Sequence, residues 1–460
     1  MAASTKILWW VYLALLSIAA VIPATTADVS DDVWKQREAE ARRGLLQAYH
    51  PNPEKITTEL NERVSIGLNE TYNNRELYDD SNNNNNDNVT RRELRRKKGS
   101  KEPCRATNPI DQCWRCRADW SDGPNRFRLA DCALGFAKGT TGGKGGRIYV
   151  VKDASDDDVQ EPKAGTLRHA VIQKEPLWIV FAASMTIKLS GELLVQGNKT
   201  IDGRGAFVNI AGGAGMTLQS VNNVIIHNIK VGDIKSSPGG IIRDCVDHKG
   251  MRTHDEGDGI TIFGSHHVWI DHVSMHNCED GLIDAAAGAT AVTVSNCHFT
   301  DHDKVLLFGA NNEDSIDKRM QITLAFNHFG KRLHQRMPRC RWGLFHIVNN
   351  DYTHWEMYAV GGSSGATIIS QGNRYIAQPG ENFFKEVTHR DCPDDSWKKW
   401  TWVSSGDVFM NGAFFTPSGD PKGVEKYGYR DNLRPLSGKE VGRLARYSGH
   451  LGRCTPGRKC

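Results

Sequence analysis

One spacing constrains this chain more tightly than its composition does. Six short β-rich runs stack in a single register: NVIIHNIKV from Asn223, HVWIDHVSM from His267, AVTVSNCHF from Ala291, QITLAFNHF from Gln321, LFHIVNNDY from Leu344 and TIISQGNRY from Thr367. Their starts lie 44, 24, 30, 23 and 23 residues apart, a unit of about 23 with one double step. A repeat of this size marks a solenoid. The second and fourth positions of each run are mostly Val, Ile or Leu, which places them on one face of a strand. No single run buries that face alone. Wound in a coil, each strand pairs with those above and below, and the apolar faces stack into one interior. Asn327, Asn350 and Asn373 share a column, where an amide bonds the neighbouring coil and tolerates a left-handed backbone. A β-sandwich would need hairpin turns between the runs, and these are missing. The expected fold is all-β, a right-handed parallel β-helix.

The rest of the 460 residues is arranged around that unit. Ile7 to Ile22 form an uninterrupted apolar run after Lys6 and before Pro23, too short for the roughly 20 residues of a membrane anchor. It reads as a secretory signal over residues 1–27, cut near Ala27. Residues 28–71 read as a helical extension. Within them an amphipathic helix is expected over 30–50, with Trp34, Ala41, Leu45 and Ala48 on one face. Residues 72–101 hold the Asn82–Asn86 run and the basic cluster RRELRRKKGSK, and read as an exposed, protease-sensitive linker. The solenoid with a C-terminal cap takes 102–460. Lys plus Arg at 58 against Asp plus Glu at 54 gives +4, no argument for a nucleic-acid partner.

Export changes how the eleven cysteines are read: as disulfide candidates, with at least one left over. Cys113 and Cys116 have the spacing of half a zinc knuckle, but no second pair follows. Asn69, Asn88 and Asn198 stand in glycan-acceptor sequons. The mature protein is expected to be secreted into the extracellular space and wall, detached from membrane, and monomeric.

Chemistry concentrates in acids one coil apart. Glu256-Gly-Asp258 stands at the start of GDGITIFG, and Asp280 and Asp284 lie in EDGLIDA, so 256 and 280 are 24 residues apart. In a solenoid that spacing stacks side chains from adjacent turns. Converging carboxylates without matching histidine or thiolate suit a hard cation with oxygen ligands, above all Ca²⁺. Lys304, Arg336, Arg339 and Arg341 follow, and a cationic edge beside a bound cation makes sense only with an anion between them. His254, His266, His267 and His272 read as turn or core residues, Asp271 as a buried hydrogen-bonding group, and Trp342 and Trp355 as core at least as readily as sugar platforms.

The motifs DGLIDA, WIDH, FNHFG and QRMPRCRWG with NNDY six residues on, together with NPIDQCWRC and GTLRHA, resemble the plant members of the pectate lyase family and their pollen-allergen relatives. The resemblance covers roughly 100–445, and 28–70 resembles the amino-terminal extension of many plant members. It implies a parallel β-helix that cleaves de-esterified homogalacturonan by β-elimination using Ca²⁺. It assigns Asp258, Asp280 and Asp284, with Glu256, to calcium, Arg336 to proton abstraction, and Lys304 and Arg341 to substrate. Glu256 departs from the family's usual Asp, and its extra methylene moves the oxygens. Guanidinium holds its proton to above about pH 12, so an arginine base crowded by other cations implies an alkaline optimum. Water-activating hydrolases of this fold class need no metal, and pectin lyases would replace the calcium acids. A wall-binding, allergen-type homologue of weak activity is the alternative that Glu256 leaves open.

Overall fold

The computed structural model describes residues 25–67, 104–420, 436–452 and 454–460, with side chains from residue 32. Most of the expected signal segment, the whole expected linker, and the sequons at Asn69 and Asn88 lie outside these residues. Three long parallel sheets form the body, a parallel β-helix as expected. The back sheet has ten strands, from Arg147–Val151 to Trp402–Ser405. The cleft sheet has eight, including Ile260–Phe263, Ile283–Ala286, Leu306–Phe308, Arg339–Arg341, Val360–Ser363 and Thr388–Arg390. A third sheet has nine. Each coil of the central body visits the back, third and cleft sheets in turn.

All six repeat runs fall in the back sheet in the expected register, with Val224, Val268, Val292, Ile322, Phe345 and Ile368 aligned. These side chains are buried and form part of one continuous cluster inside the coil. Fixed spacing does this because parallel strands about 4.8 Å apart repeat the same inward positions coil after coil.

The asparagine column is a buried ladder. Asn327 N–H and its side-chain amide donate to Asn350 Oδ1, both at 2.9 Å, and Asn350 donates in the same way to Asn373 at 2.8 and 3.0 Å. The left-handed residue, however, is the one before: Asn228, His272, Asn296, Phe326, Asn349 and Gly372 all have φ between 50° and 60°. The ladder asparagines are therefore selected for their amides, and the preceding column makes the bend.

One interior is not the whole core. Ile225, Trp269 and Ala325, on the outward face of the back sheet, are fully buried against Ile110, Trp114, Leu129 and Leu444. The segments before and after the coil supply this second layer. His272 joins them, bonding Asp111 at 2.7 Å and the Gly449 carbonyl at 2.9 Å. Disulfides Cys104–Cys116 and Cys113–Cys132 staple the leading segment, and Cys454–Cys460 the trailing one. Cys245, Cys278, Cys297, Cys340 and Cys392 are free thiols.

The expected amphipathic helix runs Thr25–Ala48, with Leu45 and Ala48 buried, and a second helix spans 53–67. Both lie on the back sheet. Arg37 reaches the buried Asp244 at 2.6 Å, and Asn61 donates to Gln371 at 2.9 Å.

Candidate active site

Most residues of the candidate site stand in the turns that enter the cleft sheet. Asp258 precedes Ile260–Phe263, Asp280 precedes Ile283–Ala286, Lys304 precedes Leu306–Phe308 and Arg336 precedes Arg339–Arg341. Four successive coils thus contribute one row. Asp284 sits inside its strand, opposite Thr261 on one side and Leu307 on the other, and Leu307 is opposite Arg339.

The acids converge on Gly281. Its N–H donates to Asp258 Oδ1 at 2.7 Å, and a Cβ placed there would lie 2.3 Å from Asp284 Oδ1 and 3.0 Å from Asp258 Oδ1. Only glycine leaves both carboxylates room. Thr261 donates to the other Asp258 oxygen at 3.0 Å, whereas Asp284 Oδ1 is buried with no partner. Burial, followed by the charges of Asp280 and Asp255, pushes the Asp258 carboxyl up to about 6. Asp284 is driven well above the ordinary carboxylate range by burial and then by Asp258 and Asp280, with Arg336 opposing. Neighbouring acids that resist ionising together are a donor set asking for a cation.

The cations face them from the next coils. Lys304 Nζ donates to Asp280 Oδ1 at 2.6 Å, a bond that raises the lysine further. Arg336 adopts φ 64°, and its Nε is buried without a partner. Arg341 donates to the Gly309 carbonyl at 2.6 Å and to Asn312 Oδ1 at 3.2 Å; burial and then Arg339 and Arg336 lower its guanidinium. Arg339, by contrast, is tied to Asp391.

Glu256 departs from the rest. It is exposed and makes no hydrogen bond or ion pair among the described residues. Asp255, which the sequence reading passed over, is half-buried, accepts from Gly257 N–H at 3.0 Å and adds its charge to Asp258. Its position two residues before a glycine was the available signal, since a short acid there caps the turn. Among the described residues no three acid, imidazole or thiolate groups stand ready to enclose a metal ion. The orphaned Asp284 oxygen and the crowded carboxylates nevertheless fit a hard cation that takes its remaining oxygens from an anionic ligand.

The bystanders are structural. Asp271 accepts from His227, Ser295 and Asn296 at 2.9, 2.6 and 2.9 Å, and Trp355 is fully buried. His266 and His267 bond each other at 2.8 Å, and His254 is exposed. The Asn198 carboxamide accepts from Asn223 at 2.7 Å beneath the N-terminal helix, where a glycan would compete with that packing.

Fold and site define a parallel β-helix protein with an acid-and-cation cleft along one sheet. The family model "Pectate lyase" matches residues 127–393, and "Pectate lyase, N terminus" matches 28–94. The chain is 51% identical over 452 residues to "Probable pectate lyase P59" of Solanum lycopersicum, covering 97% of both. It is 59% identical over 372 residues to "Pectate lyase" of Nicotiana tabacum, covering 80% of this chain and 92% of that one. Among solved structures, the major cedar-pollen allergen jun a 1 superposes with a TM-score of 0.71 at 41% identity, covering 75% of this chain and 99% of the other. This chain belongs to the pectate lyase family, and it is a lyase.

Proposed function

We propose that the protein is a secreted, calcium-dependent lyase that cleaves de-esterified homogalacturonan by β-elimination. The observation that carries the reading is the Asp258–Asp284 pair, desolvated and mutually repelling, with one Asp284 oxygen missing a partner, one coil away from a cationic row. Asp258, Asp280 and Asp284 would hold Ca²⁺, which would supply Lewis-acid polarisation of the substrate carboxylate. Glu256 contributes only by swinging inward from its exposed position.

The chain's own residues do the rest. The C5 proton of a galacturonate lies α to a carboxylate and is scarcely acidic, because its removal concentrates charge there. Lys304, whose ammonium rests on Asp280, and Arg341 bind and orient the uronate carboxylates. Arg336 receives the C5 proton, and the electron pair moves to form the C4–C5 double bond while the C4 glycosidic oxygen leaves. Arg336 stands among other cations, and its buried Nε has no hydrogen-bond partner.

The test is ultraviolet absorbance of the unsaturated product on polygalacturonate at alkaline pH, with calcium and then with EGTA. A rise that chelation abolishes and that Arg336→Ala removes, with polygalacturonate binding retained, is the expected result. A rise indifferent to EGTA, or an optimum in the acid range, sinks the reading. No rise from folded protein favours the wall-binding, allergen-type alternative, and Glu256→Asp then tests whether the glutamate is the cause.

A further inference from the structure

The row that holds Asp258, Asp280, Lys304 and Arg336 continues past Arg336. The turn entering Val360–Ser363 carries Glu356 and the buried Tyr358, and the turn entering Thr388–Arg390 carries Phe383, Phe384 and Lys385. These strands follow Arg339–Arg341 in consecutive parallel register, so the phenylalanines stand two coils beyond Arg336 in the same line of turns. Phe414 joins them from the next segment: its N–H donates to the Lys385 carbonyl at 3.1 Å, and its own carbonyl accepts from Val387 at 2.8 Å.

Phe383, Phe384 and Phe414 are 41%, 61% and 48% exposed. A lone exposed phenylalanine needs no explanation, but three in adjoining backbone segments at one end of a ligand cleft do. Lys385 lies in their midst. Its ammonium rests on the Gln378 carbonyl at 2.6 Å, which uses one of three donors.

We infer that Phe383, Phe384 and Phe414 form a distal sugar subsite, in which a hexuronate ring lies on the aromatic platform with its carboxylate toward Lys385. The inference rests on the pectate-cleaving reading and extends it. A polyanion that meets the acids, Lys304 and Arg336 in turn must run along the row of coils. Two coils is about 10 Å, a distance an extended hexuronate chain crosses in about two or three units. Glu356 and Glu381 occupy the same turns. Charge therefore does not carry the contact, and ring-face stacking does, as an aromatic surface provides for the C–H face of a sugar.

The experiment measures kcat and KM on purified oligogalacturonates from trimer to octamer, for wild type and the Phe383→Ser/Phe384→Ser double variant. Both side chains are exposed, so equal melting temperatures are expected and are checked. The expected result is a KM raised about fivefold to tenfold for the octamer, kcat unchanged, and no change for the trimer. The ratio should persist at high salt, which would erase a purely ionic contact. Equal effects on short and long chains, or none on either, overturn the inference. So does a wild type that sediments as a dimer while the variant is a monomer, which would make the patch a contact between copies. If wild type cleaves no oligomer, the pectate-cleaving reading falls by itself. Calorimetric binding of octamer against trimer then decides the subsite, with length-selective affinity lost in the variant supporting it and equal affinities overturning it.

Discussion

Gly281 holds the site open by having no side chain. A methyl there would press on Asp284 Oδ1 at 2.3 Å, the far end of a side chain that can rotate away. Gly281→Ala should therefore leave the metal-free fold within about 1 kcal/mol of wild type but abolish the rise in melting temperature that calcium produces. The pH dependence follows from the same carboxylates. A carboxyl raised from 3.8 to about 6 binds its proton more tightly in the folded state, so the metal-free protein loses stability as pH rises through that window. Calcium needs the deprotonated form, so its affinity runs the other way. The calcium-induced melting shift should be full near about pH 8 and mostly lost near about pH 5. A shift of equal size at both would mean that Asp258 and Asp284 do not hold the ion.

The asparagine ladder shows what a coil needs besides apolar stacking. Asn350 accepts two hydrogen bonds from Asn327 and donates to the Leu324 carbonyl and to Asn373, all of them buried. Removing the amide breaks four buried hydrogen bonds to three neighbouring residues at once. Asn350→Ala should cost about 3–5 kcal/mol, measured by denaturant unfolding, well above a typical substitution. The ladder ends on Asp407, which accepts from Asn373 N–H at 2.6 Å and is pushed up to about 6 by burial. The ladder's three asparagines were visible as a column of identical letters. The bend was credited to the wrong column, because Asn, His, Phe and Gly alternate in the true one and share only a backbone angle.

At the scale of the whole molecule, the two N-terminal helices and the terminal caps turn the outer face of the back sheet into a second core. Leu60, Val64, Thr57 and Asn61 are buried there, and the backbone of His50 exchanges two hydrogen bonds with Gln321, each 2.8 Å. The cleft lies on a different sheet. Deleting residues 28–67 should lower the melting temperature by several degrees, about 2–4 kcal/mol of lost packing, while kcat on polygalacturonate stays within about twofold. A kcat lost along with the extension would mean that the helices shape the cleft as well as cover the sheet.

The sequence by itself determined the coil. A period of about 23 and an alternation of inward residues admit few other ways to bury an apolar face. It also determined the family's motifs, and with them the cleft residues. Tertiary structure decided what periodicity does not encode. Side-chain direction in irregular turns set Glu256 outward and Asp255 half inward. The pairing of Cys104 with Cys116 and Cys113 with Cys132 depended on how a non-repeating segment folds over the back sheet. The second core arose from contacts between segments more than 300 residues apart, such as Thr107 with Leu444, which no local pattern announces. A repeat specifies its own interior because each unit meets a copy of itself; what packs on the outside meets something different and is settled only by the assembled surface.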